Sequence, residues 1–313
     1  MTMAIQILLL LAGLALIVFG ADWLVDGASA IARRLGISEF VIGLTIVGFG
    51  TSCPELVVSL TGAFQGNADI SVGNVVGSNI FNTLLILGLT AVIAPVAVTR
   101  SNSRRDIPIC LLVTFIFAFL GIAGGGLTRW EGIAFLLIFA GYMFYCFKTD
   151  TGSSAGDEPA KERSLWMALL LIAAGLGGLI AGGNLFVDNA VEIARALGVS
   201  DKFIAITLLA GGTSLPELAT CIVAAAKKKD QLALGNVLGS NVFNILLILG
   251  TSAVVTPLST LAMTWVDFGV LLLSAVLVWL WTYTGRRDHI DRWEGALMLL
   301  CFAGYYTWLF MKL

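Results

Sequence analysis

The nine-residue string GFGTSCPEL at 48–56 returns in the same chain, 162 positions later, as AGGTSLPEL at 210–218. A second string behaves in the same way, because GNVVGSNIFN at 73–82 returns as GNVLGSNVFN at 235–244. Shorter matches at nearly the same shift lie on either side of both strings. The chain is therefore predicted to consist of two structural repeats.

The composition excludes a soluble protein. Apolar residues make up 58% of the 313 residues and charged residues only 12%, whereas an average soluble domain carries about 25% charged residues. A mean hydropathy of +0.95 is typical of a membrane protein with several spans. The net charge of −2 gives no indication of a nucleic-acid partner, and the single histidine argues against a zinc site or a histidine-based catalyst.

Apolar stretches of membrane-spanning length, about 20 residues, recur along the whole chain. They lie roughly at 4–25, 40–65, 72–97, 107–123, 130–148, 165–188, 203–226, 232–257, 267–284 and 294–311. Each repeat holds five of these stretches, and five is odd, so the second repeat enters the membrane from the opposite side. The predicted fold is an all-α polytopic membrane protein with ten transmembrane helices arranged as two inverted five-helix repeats.

The polar residues divide and orient this arrangement. A stretch rich in Gly, Ser, Asp and Glu separates a first five-helix repeat at 1–148 from a second, inverted repeat at 165–313, and 149–164 is predicted to be a cytoplasmic linker. With the N-terminus outside, fourteen of the 18 Lys and Arg residues fall on the cytoplasmic side, as the positive-inside rule requires. The prediction is a multi-pass protein of the cell (inner) membrane with both termini outside. The first apolar stretch is interpreted as a span, since it lacks the features of a removed signal peptide.

Two carboxylates interrupt the apolar stretches where a charge is most costly. Glu55 and Glu217 each lie about midway along a predicted span, and ionisable residues at this depth usually face a cavity or a partner. Each closes the string Gly-Thr-Ser-x-Pro-Glu, whose proline has no N–H for the carbonyl four residues earlier. Both spans are therefore predicted to break into two half-helices at Gly50, Pro54, Gly212 and Pro216.

The same strings are rich in oxygen donors. Freed carbonyls, hydroxyls and carboxylates suit Na⁺ or Ca²⁺ and suit soft metals poorly. In the second string, Ser78 and Asn82 share one helix face, as do Ser240 and Asn244, because they are four residues apart. The sequence thus predicts an oxygen-lined cation site between the repeats. A competing interpretation of Ser52-x-x-Glu55 and its copy is a capping box, in which the serine caps its own helix.

The paired strings resemble the two alpha-repeats of the cation/Ca²⁺ exchanger superfamily, and specifically those of prokaryotic Na⁺/Ca²⁺ exchangers. The resemblance extends over the ten-span layout. It implies a secondary antiporter, not an enzyme, that exchanges Na⁺ for Ca²⁺ by alternating access, with the first and sixth spans sliding past a fixed core. The ions are substrates and no cofactor is implied. A monomer in the lipid bilayer is expected.

The resemblance also implies roles for individual residues. Glu55 and Glu217 would be the central carboxylates shared by Ca²⁺ and Na⁺. Thr51 and Thr213 would contribute carbonyls to Ca²⁺ and hydroxyls to Na⁺, and Asn82 and Asn244 would line the centre. The flanking Na⁺ sites would be built by Ser52, Ser78, Ser214 and Ser240 with the carbonyls of Gly48 and Ala210. Some relatives, including K⁺-dependent exchangers, carry Asp at the position of Asn244, so transport is predicted to be independent of K⁺. With two carboxylates, a third Na⁺ would make the exchange electrogenic.

Three alternatives remain open from the residues. A Ca²⁺/H⁺ antiporter could use the same carboxylates, although that branch usually carries different Glu-bearing motifs. A cation channel gains little from an inverted repeat. An intramembrane hydrolase would need a catalytic set at mid-membrane, but His289 lies in a predicted loop and no lysine lies mid-span.

Overall fold

The computed structural model describes residues 2–66, 68–150, 164–199, 210–285 and 288–312, and most of them are helical. The helices are α1 Met3–Leu35, α2 Glu39–Thr51, α3 Cys53–Phe64, α4 Asp69–Ile93, α5 Asn102–Gly124, α6 Arg129–Thr149, α7 Leu165–Ala196, α8 Leu215–Ala226, α9 Asp230–Val255, α10 Trp265–Trp281 and α11 Arg292–Lys312. Within the described residues, four two-residue strands lie in the loops: β1 Val96–Ala97, β2 Gly126–Leu127, β3 Leu258–Ser259 and β4 His289–Ile290. They pair antiparallel as β1 with β4 and β2 with β3, so each pair ties a loop of one repeat to a loop of the other.

The described helices make this a helical membrane protein. Seven of them are long and apolar enough to cross a membrane, or eight if α2 and α3 form one bent span. The shorter helices α8 and α10 are also apolar. Of the predicted segments, 151–163 of the linker and 203–209 of the seventh span lie outside the described residues.

Two helices run well beyond the predicted spans. The first apolar stretch was expected at 4–25, but α1 continues to Leu35 and ends at Gly36, whose positive φ of 66° closes the helix. The sixth stretch was expected at 165–188, but α7 continues to Ala196. The helices are longer than the predicted spans because hydropathy marks the part of a helix that meets lipid, whereas a capping residue decides where the helix stops.

α1 and α7 pack antiparallel through small residues spaced seven apart. Cβ atoms added to Gly13, Gly20 and Gly27 would lie 2.7–2.8 Å from backbone atoms of Phe186, Gly175 and Ala168. Conversely, Cβ atoms on Gly175 and Gly182 would lie 2.7–2.8 Å from the backbone of α1. The two backbones therefore touch along most of their length, a packing mode that small residues permit inside membranes. This glycine seam joins the first helix of each repeat.

α9 lies at the centre of the molecule. The most apolar window of α9 is 94% buried, compared with 22% for α1. Gly235 and Gly239 of α9 press against the backbone of α2 at Phe40 and Leu44 and leave no room for a Cβ. This contact holds α9 against the broken pair α2–α3.

Wider helical turns occur at equivalent places in the two repeats. Residues Phe81–Leu87 of α4 and Phe243–Leu249 of α9 are π-helical, and each begins at the last two residues of the second repeated string. Single π-helical turns often mark functional positions. Further π-helical turns are Gly43–Val47 in α2 and Asn102–Asp106 in α5.

Lys227 connects α1 to the end of α8. Its Nζ lies 2.7 Å from Asp22 Oδ1 and 2.6 Å from Asp26 Oδ1. Burial lowers the pKa of the Lys227 ammonium, but hydrogen bonds to Asp22 and Asp26 more than offset this, and the pKa lies above its ordinary value of 10.5. Asp22, Asp26 and Lys227 thus form an ion-paired cluster that ties α1 to the end of α8.

Replacing Lys227 with methionine should lower the free energy of unfolding by about 1 kcal/mol at neutral pH, since the partly exposed cluster then loses the ion pairs that Lys227 forms with Asp22 and Asp26. The pKa of Lys227 is raised on folding, so its stabilisation is complete below about pH 10.5 and disappears as the pH rises through the raised pKa. Thermal unfolding of the purified protein between pH 7 and pH 11 measures this. Lys228→Met, at the adjacent exposed lysine, serves as the control, and equal losses in both variants would contradict the prediction.

Candidate functional site

The repeated Gly-Thr-Ser-x-Pro-Glu strings break the helices as predicted. α2 and α3 meet at Ser52 with a bend of 49°, and Pro54 lies in the first turn of α3. In the second repeat, a short helical turn at Ala210–Gly212 ends at Thr213, and Pro216 lies in the first turn of α8. Each break places one glutamate in the first turn of the half-helix that follows.

The two breaks are joined by reciprocal hydrogen bonds between the repeats. Ser52 Oγ donates to Glu217 Oε1 at 3.0 Å, and Ser214 Oγ donates to Glu55 Oε1 at 3.1 Å. Neither serine side chain caps its own helix, so the capping-box interpretation is wrong. Each hydroxyl instead solvates the carboxylate of the other repeat, which the local string alone could not reveal.

Both glutamates keep one oxygen without a partner. Glu55 and Glu217 are 0% exposed, and Oε2 of each is buried with no hydrogen-bond partner. Among the described residues, no lysine or arginine forms an ion pair with either carboxylate, and the two negative charges repel each other. Buried charges are normally paired or bound to a metal ion, so this pair is suited to a cation.

Ser240, Gly48 and Ser78 extend the site on both sides. Ser240 Oγ lies 3.5 Å from Glu217 Oε1 and 3.5 Å from the carbonyl oxygen of Gly48. Ser78 Oγ lies 3.5 Å from Ser214 Oγ. The structure thus brings together six predicted side chains and one predicted carbonyl: Glu55, Glu217, Ser52, Ser214, Ser78, Ser240 and Gly48.

The remaining predicted residues differ in their surroundings. The Thr51 hydroxyl donates to the Val47 carbonyl at 3.1 Å, as a helical threonine commonly does. Several buried polar atoms have no partner, namely Thr213 Oγ1, Asn244 Oδ1, and both Oδ1 and Nδ2 of Asn82. Ala210 is described only by its backbone, in the turn before the second break. Unpartnered buried polar atoms are uncommon in native structures, and here they cluster in the repeated strings.

The atoms of the candidate site that could bind a cation are all oxygens. In the part of the chain that the structure describes, no group of three or more His, Cys, Asp or Glu side chains could hold a metal ion. The site consists of two carboxylates with hydroxyls, amides and carbonyls, which is the chemistry of hard cations. A cavity of about 700 Å³ reaches it, and its lining includes Ser78, Thr213, Asn74 and Asp188.

Sequence reasoning missed Asn74 and Asn236, the first asparagines in the two copies of the second string. Asn74 Nδ2 donates to the carbonyl of Glu55 at 3.1 Å and to Ser59 Oγ at 3.0 Å, so it braces the half-helix that carries the carboxylate. Asn236 Oδ1 lies 3.2 Å from the Thr51 hydroxyl oxygen. Their repetition after 162 positions was a signal in the sequence, because packing alone does not require a polar side chain there.

Comparison with known proteins agrees with this geometry. Residues 5–148 and 167–311 match the family described as "Sodium/calcium exchanger protein". The chain is 39% identical to "Putative antiporter CaxA" of Alkalimonas amylolytica, over 98% of this chain and 99% of that protein. It is 33% identical to "Sodium/calcium exchanger MaX1" of Methanosarcina acetivorans, again over 98% and 99%.

A solved structure shows the same fold. The sodium-calcium exchanger NCX_Mj, soaked with zero Na⁺ and Ca²⁺, superimposes with a TM-score of 0.87 at 34% identity, covering 98% of this chain and 100% of that one. The family match covers nearly the whole chain, in two segments that follow the internal duplication. The chain therefore belongs to the sodium/calcium exchanger protein family.

Proposed function

We propose that this protein exchanges Na⁺ for Ca²⁺ across a membrane by alternating access, at the site formed by Glu55 and Glu217. The observation that carries the proposal is the pair of fully buried carboxylates, each with one unpartnered oxygen and no described cationic partner. The name of the relative MaX1 supports Na⁺ and Ca²⁺ as the ions.

The proposed setting is a cell (inner) membrane, crossed ten times by two inverted repeats at 1–148 and 165–313, with 149–164 as the cytoplasmic linker and both termini outside. The bent pair α2–α3 would count as one span, and α8 would complete the seventh. The reciprocal Ser–Glu bonds support two repeats related by symmetry. The protein would act as a monomer surrounded by lipid and without enzymatic activity.

Charge explains why exchange would be obligatory. The empty site carries two negative charges, and moving it past a low-dielectric barrier costs free energy. One Ca²⁺ or two Na⁺ neutralise it, so the loaded protein switches between its outward-facing and inward-facing states more readily than the empty one. Ion movement in one direction then depends on ion movement in the other.

The proposed stoichiometry includes a third Na⁺ and no K⁺. The hydroxyls of Ser78 and Ser240, which lie beside Ser214 and Glu217, would supply ligands for flanking Na⁺ sites, and Asn244 supplies no third carboxylate. Uptake of one Ca²⁺ against three Na⁺ moves one net positive charge outward. An inside-positive potential should therefore speed Ca²⁺ uptake into Na⁺-loaded vesicles in K⁺-free medium, and no response to voltage would exclude this stoichiometry.

The deciding experiment measures ⁴⁵Ca²⁺ uptake into proteoliposomes. Vesicles loaded with Na⁺ should take up Ca²⁺ when diluted into Na⁺-free medium, whereas vesicles with only a pH gradient should not. Uptake that follows the pH gradient and ignores Na⁺ would instead establish the alternative, a Ca²⁺/H⁺ antiporter on the same fold. The name of the relative CaxA specifies an antiporter without naming its ions, so both arms are needed.

Ser52→Ala should weaken the apparent affinity for Na⁺ about tenfold, because it removes a hydroxyl that contacts the Glu217 carboxylate. A hydrogen bond to a charged group contributes about 1.5–3 kcal/mol. The measurement is the Na⁺ dependence of exchange in proteoliposomes. Ser71→Ala is the matched control, since Ser71 is equally buried but donates to the carbonyl of Ser59. An equal change in both variants would contradict a role for Ser52 at the site.

A further inference from the structure

Three asparagines form a buried chain of hydrogen bonds where α4 crosses α9. Asn79 Nδ2 donates to the backbone carbonyl of Asn241 at 3.1 Å, and Asn79 Oδ1 accepts from Asn244 Nδ2 at 2.9 Å. Asn79 is 2% exposed and Asn244 is 0% exposed. Sequence reasoning singled out Asn244 but assigned nothing to Asn79.

The chemistry of the chain decides which way each amide points. A backbone carbonyl can only accept a hydrogen bond, so the NH₂ group of Asn79 must face Asn241. The oxygen of Asn79 is then left for Asn244, which must present its own NH₂ group. As a result, the Asn244 oxygen is turned away from Asn79, and this oxygen is buried without a partner.

The orientation matters because the two ends of an amide have opposite effects on a cation. The oxygen attracts a cation, whereas the NH₂ group carries partial positive charge and repels it. A carboxylate has two equivalent oxygens and can rotate without changing what it offers. An amide at position 244 therefore needs a neighbour that holds it in one orientation.

We propose that Asn79 is a positioning residue that holds the Asn244 side chain with its oxygen toward the transported cations, through the hydrogen bond from Asn244 Nδ2 to Asn79 Oδ1. The inference rests on the proposed function of this site. It makes Asn79 a determinant of ion affinity although Asn79 does not itself bind the ion.

The internal duplication relates the Asn244–Asn79 contact to a contact between Asn82 and Asn241, and that second hydrogen bond is not formed. By the internal duplication, Asn241 corresponds to Asn79 and Asn82 corresponds to Asn244. Here, however, Asn82 Nδ2 and Asn241 Oδ1 are both buried without a partner, and Asn241 Nδ2 donates to Thr83 Oγ1 at 2.8 Å instead. The two repeats therefore orient their asparagines differently, and Asn241 offers a matched control.

The test is a double-mutant cycle read by Ca²⁺ binding to the purified protein, with exchange in proteoliposomes as the second readout. Asn79→Leu should weaken Ca²⁺ binding about tenfold, or about 1.4 kcal/mol, because the Asn244 amide can then turn its NH₂ group toward the ion. In the Asn244→Asp background the same change should have no effect or should strengthen binding, since a carboxylate needs no orientation and Asn79 Oδ1 repels it. Asn241→Leu should give the same fold-change in both backgrounds.

The outcomes separate this inference from the proposed function. An equal loss for Asn79→Leu in both backgrounds would mean that Asn79 only supports the helix crossing, and it would overturn the inference. Weaker Ca²⁺ binding by Asn79→Leu only in the protein that keeps Asn244 supports the inference. If the unaltered protein binds Ca²⁺ but exchanges it for H⁺, the proposed function fails while the binding cycle still tests Asn79. If the unaltered protein binds no Ca²⁺, both proposals fail.

Discussion

Glu55→Gln or Glu217→Gln should abolish exchange while leaving the protein folded. Each change removes one of the two negative charges of a fully buried site, so the site can no longer neutralise Ca²⁺. The ion-free protein loses a costly buried charge at the same time, and its melting temperature should stay equal or rise. The measurements are ⁴⁵Ca²⁺ exchange in proteoliposomes and thermal unfolding with and without Ca²⁺, which should no longer stabilise the variants.

Glu294→Gln is the matched control for these variants. Glu294 is also 0% exposed, but both of its oxygens have partners, since Oε1 accepts from Thr284 and Oε2 accepts from the backbone N–H of Asp291. This variant should exchange Ca²⁺ normally even if its stability falls. Normal exchange in both Glu55→Gln and Glu217→Gln would remove the proposed site.

Gly175→Val should destabilise the folded protein severely and reduce its yield. A Cβ at Gly175 would lie 2.7 Å from the backbone nitrogen of Leu24 and 2.8 Å from the carbonyl oxygen of Gly20. Neither is a flexible side chain, so the whole of α7 must move away from α1. Overpacking typically costs about 1–3 kcal/mol, and occasionally more. The cost at Gly175 should lie at the upper end of this range. Thermal unfolding and gel filtration in detergent measure the loss of stability and of folded protein.

Gly177→Val tests whether the loss comes from the glycine seam or from valine in a helix. Gly177 lies two residues further along α7, is exposed, and has no described atom within 4 Å of an added Cβ. The same valine there should change the melting temperature little. Equal destabilisation by both variants would mean that the seam is not what holds α1 against α7.

The duplicated strings allowed much of the site to be predicted. The proline in each string predicted a break, and the structure places one at Ser52 and another after Gly212. Matching strings in two repeats also predicted that Glu55 and Glu217 would lie in equivalent positions, and each accepts a hydrogen bond from the other repeat. That these residues bind ions stays a prediction until transport is measured.

Tertiary contacts account for what could not be predicted. Ser52 suits a capping box and a bond across the repeat interface equally well when only its neighbours in sequence are known, and the structure decides for the second. The role of Asn79 depends on the backbone carbonyl of Asn241, which composition cannot reveal. The glycine seam was present as a seven-residue spacing, but its partner spacing in α7 lies far away in the sequence.

The seam has a mechanical consequence. Sliding α1 along α7 by one turn, about 5.4 Å, would bring Ile17 and Leu24 to the places where glycines now meet the opposite backbone. The seam therefore disfavours sliding of α1 against α7 and favours movement of the two helices together. With 33 residues, α1 is about 50 Å long, which exceeds the roughly 30 Å of a bilayer core. In the proposed exchange, a helix pair of this length would shift at one end when it opens at the other, so the outward-facing and inward-facing openings would be coupled through the seam.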